Sequence, residues 1–373
     1  MTEDLVTEMQ FGVQFFPSVA PEDKSAARYF DECLTIAEEA ETLGYSHVRT
    51  VEHYFRRYGG YSPNPLVFLA AAAQRTKTAR LVTGAVVPAF NNPLKLAGEI
   101  AMLDAIANGR LDVGFARAFL PHEFRRFGIS PDESVARFRE GLEQVALLLT
   151  TEHATHRGEF HAFEDLTSLP RPTQQPRPKF YVASTRTAES FEFAGRNGHA
   201  LMTIPIGALR PLLEAYRNAW RDAGHPGNGE VMIAFHMFCH DDGRRAREIP
   251  RPAFDLYFAA LMESAGEWTQ GTASKDYQGY DKSIGRLKGF SLEGQIETGN
   301  AWIGTPDEIK AIIRRFTATN GPFEHASLQI NFGTLDFAEA QKSMRLFARE
   351  VMPAFAAGTT TAAPQPAAAA SGR

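Results

Sequence analysis

Short apolar runs alternate with amphipathic segments along almost the whole chain, and this alternation limits the possible folds more than any other feature. Phe11–Phe16 reads as a first strand, closed by Pro17. Residues 25–43 follow, with apolar side chains at Phe30, Leu34 and Ala37 on one helical face and Gly44 at the stop. The pattern then repeats as strand Tyr45–Val51 with helix Leu66–Gln74, strand Leu81–Val87 with a helix to Ile106, and strand Leu111–Ala116 with helix Glu133–Leu149. Strands over 180–183, 200–204 and 231–238 precede helices over 187–197, 208–223 and 244–264, and His325–Phe332 with Phe337–Glu350 closes the series. Asn92 before Pro93 is an N-cap with proline at the first helical position, and Thr305-Pro306-Asp307-Glu308 is a capping box. Eight strands alternating with helices predict parallel β/α topology. At 373 residues with no internal linker, a closed (β/α)8 barrel, a TIM barrel, is favoured over a doubly wound sheet.

Two stretches break the rhythm. Residues 265–299, rich in Gly, Ser, Lys, Tyr and Gln, read as a long polar connection, and a connection of this kind is expected to be a mobile lid. Residues 356–373 are a low-complexity Ala/Thr/Pro tail with nothing to bury, so the barrel domain is placed at 9–355 and the tail is expected to be disordered.

Composition removes several function classes. Lys and Arg number 39 against 44 Asp and Glu, a net charge of −5, which offers no basic excess for a phosphate backbone and argues against nucleic acid as a partner. Two cysteines, Cys33 and Cys239, are too few for a disulfide framework and suit a reducing cytoplasm; both are expected to be buried. The opening MTEDLVTEMQ has no basic and apolar regions of a signal peptide, and the apolar run Leu66–Ala73 ends at Gln74-Arg75, well short of a membrane span. A cytoplasmic protein without membrane attachment is the expectation.

No phosphate-binding P-loop, dinucleotide-binding glycine motif, zinc-protease HExxH or nucleophile elbow occurs. In a barrel, chemistry sits at the C-terminal ends of strands, which directs attention to three places. His53 follows strand two; it is either a loop histidine bonded to a carbonyl or a proton-handling group. Arg117 ends strand four, where a charge needs a partner, either an anionic ligand or a neighbouring carboxylate. Ser184, Thr185, Arg186 and Thr187, with Ser190, lie at a helix start, which is either a simple N-cap or an anion site. With Arg117 at a neighbouring strand end, a phosphate is the better reading. His153, His156 and His161 sit in a polar, hairpin-like insertion without a geometry suited to a metal, and no metal site is predicted.

These strand-end residues also carry a resemblance. Val51-Glu52-His53-Tyr54-Phe55 with Asn64-Pro65, the stretch Leu103-Asp104…Asn108-Gly109-Arg110…Gly114-Phe115-Ala116-Arg117, Tyr181-Val182-Ala183-Ser184, Ile303-Gly304-Thr305-Pro306, Asn331-Phe332-Gly333-Thr334 and Val351-Met352-Pro353 resemble the bacterial luciferase-like flavin monooxygenases, over about residues 9–355. The resemblance implies reduced FMN, or in some branches the deazaflavin F420, at the C-terminal mouth of a barrel. Dioxygen then forms a C4a-(hydro)peroxyflavin that oxygenates a substrate. It implies His53 as the catalytic residue. It implies Arg117, Thr185, Arg186, Thr187 and Ser190, with Ser184 beside them, as the flavin-phosphate site, and Ala85 in the Gly84-Ala85 pair beneath the isoalloxazine. Lys288, in the lid segment, falls near a lysine that luciferase uses.

Two departures bear on substrate: Ala116 stands where the luciferase α subunit has a reactive cysteine, and Tyr54 replaces the second histidine of its pair. These put luminescence and an aldehyde substrate in doubt. The expected protein is therefore a two-component monooxygenase, a homodimer, taking reduced FMN from a separate flavin reductase and acting on a small-molecule substrate with O2. The alternatives are a deazaflavin-dependent oxidoreductase and a noncatalytic flavin-binding subunit.

Overall fold

The computed structural model describes residues 8–287 and 289–356. Its strands are β1 (Gln10–Phe15), β2 (His47–Thr50), β3 (Arg80–Val86), β4 (Leu111–Phe115), β5 (Ala154–Arg157), β6 (Ala162–Leu166), β7 (Lys179–Ala183), β8 (Ala200–Thr203), β9 (Val231–Cys239), β10 (Ala301–Gly304) and β11 (His325–Gln329). Eight of them close a parallel barrel in the order β1-β2-β3-β4-β7-β8-β9-β11, with β11 returning to β1. Helices alternate with these strands, so the fold is the (β/α)8 barrel expected from the sequence.

Period-two alternation sorts the side chains. Val48, Leu81, Leu201 and Ile233 face outward into the main core shared with the helices. Their neighbours Val82, Met202 and Met232 form a separate inner cluster with Tyr181 and Ala200. Charges close the barrel around the N-terminal strand ends: Arg80 grips Asp112 through two bonds of 2.6 Å. Glu230 receives Lys179 at 2.7 Å and Tyr181 at 3.2 Å and lies 3.2 Å from His325. The opposite, C-terminal end is left for a cavity.

The two predicted caps are present: Asn92 accepts from the Leu94 amide, and Thr305 with Glu308 completes the reciprocal box. Asn64 adds a further cap, accepting from the Leu66 and Val67 amides. Four features differ from the sequence reading. The helix expected over 244–264 is two helices, Gly243–Glu248 and Arg251–Ala265; Pro250 between them has no N–H to continue the first. The segment around Trp302 is a strand, β10, paired with His236–Cys239 of β9 outside the barrel ring, where Trp302 stacks on Phe235 with centroids 4.1 Å apart. A short helix, Pro121–Phe127, follows β4.

The fourth difference concerns residues 265–299, which are not an irregular polar connection. They form single turns at Gly266–Gln270 and Lys275–Tyr277 and helices at Tyr280–Leu287 and Leu292–Thr298. Four of their apolar side chains, Trp268, Tyr277, Ile284 and Leu287, are buried with Ala118, Leu120 and Phe124 after β4, and Trp268 donates to the Phe119 carbonyl at 2.7 Å. The segment thus folds over the barrel mouth on a sparse hydrophobic contact that its polar composition conceals. Lys288 and residues 357–373 lie outside the described residues. Among the described residues, no helix is long and apolar enough to cross a membrane, and no group of three or more His, Cys, Asp or Glu could hold a metal ion.

Candidate active site

A cavity of about 970 Å³ opens at the C-terminal strand ends. His53, Ala85, Arg117, Ser184, Thr185, Arg186, Thr187 and Ser190 all line it, so the structure brings every site residue singled out from the sequence to one wall system. Ala85 reaches it because β3 shifts register against β4 between Thr83 and Val86. The Gly84-Ala85 peptide is cis.

One end of the cavity gathers hydroxyl and guanidinium donors. Thr187 caps the helix Ala188–Arg196, its hydroxyl 2.8 Å from that of Ser190, and Ser184 donates to the Ser190 carbonyl at 3.2 Å. Two guanidinium groups line the same cavity as this helix start. Arg117 donates to the Asp276 carbonyl at 3.3 Å and lies 4.8 Å over the Tyr277 ring. Arg186 donates to the Gly279 carbonyl at 3.2 Å and lies 4.2 Å over the Tyr280 ring, while its Nη1 is buried with no hydrogen-bond partner. Among the described residues no carboxylate comes within ion-pairing distance of either arginine, so the neighbouring carboxylate considered for Arg117 is absent. Two unneutralised cations, hydroxyls and a helix N-terminus are the donor set of a phosphate site.

A second part of the wall holds titratable side chains. His53 Nδ1 lies 3.1 Å from Glu123 Oε1, and the same oxygen accepts from the Tyr54 amide at 2.8 Å. Glu123 is buried, 1% exposed, on the helix Pro121–Phe127. An N–H on Nδ1 directed at this carboxylate leaves Nε2 as the free ring nitrogen. Phe16, Tyr58 and Phe119 surround the imidazole at centroid distances of 5.5, 5.3 and 5.7 Å. Glu52, beside His53, is also buried. It accepts from Tyr54 Oη at 2.6 Å, Asn91 Nδ2 at 2.9 Å and the Val87 amide at 3.0 Å, yet burial outweighs these bonds and pushes its carboxyl up to about 7.

The inner end of the cavity is lined by Gln14, Arg49, His236, Tyr257 and Gln329. Arg49, 5% exposed, donates to Gln14 Oε1 at 2.7 Å and to the Gly84 carbonyl at 3.1 Å. Burial lowers its pKa to about 10 and that of His236 to about 3. Sequence alone assigns no role to Glu123, Glu52 or Arg49. For Glu123 the available signal is a carboxylate beside the apolar Pro121 and Phe124. Arg49, a charge between Val48 and Val51 in an apolar strand, carried a clearer signal.

Comparison with known proteins agrees with the geometry. A family model described as luciferase-like monooxygenase matches residues 9–321. The oxygenase component of the flavin-dependent trigonelline monooxygenase of Acinetobacter baylyi is 29% identical, the match covering 93% of this chain and 96% of the relative. The crystal structure of the monooxygenase RslO1 from Streptomyces bottropensis is 43% identical, with a TM-score of 0.83 and coverage of 93% of this chain and 100% of that one. At 22% identity, the oxygenating constituent of 3,6-diketocamphane monooxygenase from Pseudomonas putida, solved in complex with FMN, shares the fold with a TM-score of 0.78 over 93% of this chain and 99% of its own.

Proposed function

This chain belongs to the luciferase-like monooxygenase family, and we propose that it oxygenates a small organic substrate with O2 and reduced FMN delivered by a separate flavin reductase. The observation that carries this reading is that Arg117 and Arg186, with no carboxylate partner among the described residues, line one cavity together with the capped helix start at Thr187. A flavin phosphate would neutralise both cations and satisfy the orphaned Arg186 Nη1. The A. baylyi relative is the oxygenase component of a flavin-dependent enzyme, which supports a reductase as a separate partner.

In this reading the flavin, when bound, supplies the two electrons that activate dioxygen. The chain's own residues do the rest. Arg117, Arg186, Thr187 and Ser190 hold the phosphate, with Ser184 and Thr185 completing the loop beside it and Ala85 on the wall between phosphate cradle and barrel interior. His53 moves a proton at Nε2, and Glu123 positions the ring by fixing Nδ1. Ile284, Leu287 and Phe290 from the lid segment line the same cavity and exclude water from it.

Anaerobic titration with FMN, reduced FMN and the deazaflavin cofactor tests the cofactor. Turnover with an added flavin reductase and isotopically labelled dioxygen then tests the chemistry. Reduced FMN should bind most tightly, and one oxygen atom of the label should enter the organic product. Preference for the deazaflavin, or product formation without incorporated label, overturns the proposal.

A further inference from the structure

The innermost lining of the cavity holds a cation that the phosphate cradle does not explain. Arg49 lies mid-strand in β2, inside the barrel, and among the described residues the only acceptors of its guanidinium are the neutral Gln14 side chain and the Gly84 carbonyl. Its Nε is buried with no partner, and among the described residues no carboxylate lies within ion-pairing distance. The surrounding sequence makes room for it: a Cβ on residue 84 would fall 1.9 Å from Arg49 Nε, so glycine at that position is what admits the guanidinium. His236 Nε2, on the same cavity wall, is likewise buried and unpartnered.

A buried cation without a counter-charge is unfavourable, and proteins retain such groups where a ligand supplies the opposite charge. Apart from Gln14, Gln329 and His236, the walls at this end are aromatic and aliphatic, including Phe16, Tyr257, Phe258 and Leu261. We infer that the substrate carries an anionic oxygen, a carboxylate or an ionised phenol or enol, which seats on Arg49 while its apolar body packs against these rings. His236 can add a second hydrogen bond from Nε2. The inference rests on the monooxygenase reading above and adds to it the class of substrate.

The test uses the full chain with FMN saturating, so that the phosphate arginines are occupied. Binding of benzoate, naphthoate and anthracenecarboxylate is compared with binding of their neutral carboxamides. At least one acid should bind roughly tenfold or more tighter than its amide, the scale of a charge-assisted hydrogen bond. Arg49→Met should erase that preference and leave FMN affinity within about threefold. Arg49→Lys, which keeps the charge, should retain part of it. The parent's acid-to-amide ratio needs no variant, so a poorly folding Arg49→Met leaves the question decidable. Acids binding no tighter than amides across the series overturns the inference, as does a preference that survives in Arg49→Met. An equal loss of FMN and acid affinity in Arg49→Met also overturns it, by assigning Arg49 to the flavin. If the parent does not bind FMN, the flavin reading fails separately. The comparison is then made in inorganic phosphate and still decides the role of Arg49.

Discussion

The two ends of the barrel contain similar charged side chains in opposite electrostatic arrangements. At the N-terminal end, Arg80 and Lys179 each meet a carboxylate, Asp112 and Glu230. At the C-terminal end, Arg117 and Arg186 lie over tyrosine rings and Arg49 donates to neutral carbonyl groups. The carboxylates follow the same division. Hydrogen bonding to His325 and the Lys179 ammonium pull Glu230 down to about 2, whereas burial pushes Glu52 up to about 7. A paired charge holds strands together but presents no field to a ligand. An unpaired one weakens the fold and keeps its potential available. On the proposed function, the closed end serves stability and the open end serves binding.

The comparison breaks most visibly at His53. If the open end does chemistry, His53→Ala should bind FMN nearly normally and lose product formation by roughly 10²–10⁴, the range for a general acid or base. Reoxidation of the reduced flavin should then release hydrogen peroxide. The product-to-peroxide ratio, measured at matched folded fraction, decides it; a ratio within about twofold of the parent returns His53 to the satisfied loop histidine of the rival reading.

Glu52 and Glu230 should give stability opposite dependences on pH. Glu52 is raised from 4.5 to about 7, so between those values the native state holds a proton that the unfolded chain has released. Its contribution is present below 4.5, falls as pH rises through the window and is lost above about 7, on the order of 3 kcal/mol in all. Glu230 is lowered from 4.5 to about 2; its contribution is present above 4.5 and is lost as pH falls toward 2. Urea unfolding of Glu52→Gln should lack the decline between pH 5 and 8 expected of the parent. The same decline in both proteins refutes the assignment to Glu52.

A pair of arginine substitutions sharpens the contrast by crossing over. Arg117→Ala should weaken FMN binding by roughly ten- to a hundredfold and leave the melting temperature almost unchanged. Arg80→Ala should leave FMN affinity alone and destabilise the fold by about 1–3 kcal/mol, because Asp112 stays buried without its bidentate partner. Calorimetry and flavin titration of both variants check this. If Arg117→Ala lowers stability as much as Arg80→Ala, the division between the two ends is wrong.

What was legible in the sequence was whatever is specified locally. The strands and the caps at Asn92 and Thr305 follow from neighbours a few residues apart, and the strand-end rule then located His53, Arg117 and the 184–190 loop. What was not legible depends on closure of the barrel. Glu123 meets His53 across 70 residues, and Arg49 gains its significance only once β1 and β3 bring Gln14 and Gly84 against it. The segment 265–299 reads as an irregular polar connection because Trp268, Tyr277, Ile284 and Leu287 are too widely spaced to show a period, although each is buried on the barrel mouth. Polar composition described its outer surface and concealed its inner one.

The smallest expected effect tests why the open end uses rings in place of carboxylates. Tyr280 lies 4.2 Å beneath the Arg186 guanidinium and fixes it without cancelling its charge, whereas Glu230 at the other end cancels the charge of Lys179. A cation–π contact at a partly exposed site is worth about 0.5–1 kcal/mol, so Tyr280→Leu should lower FMN affinity by about two- to fivefold through lost preorganisation. Tyr280→Glu installs at the mouth the arrangement of the closed end. It should neutralise Arg186 before the ligand arrives and weaken FMN binding more than Tyr280→Leu does, with a loss that shrinks as salt screens the new pair. Titrations of both variants at low and high ionic strength separate the two effects. If Tyr280→Glu binds FMN as well as Tyr280→Leu at low salt, the ring is only filling space, and the unpaired state of Arg186 has no part in binding.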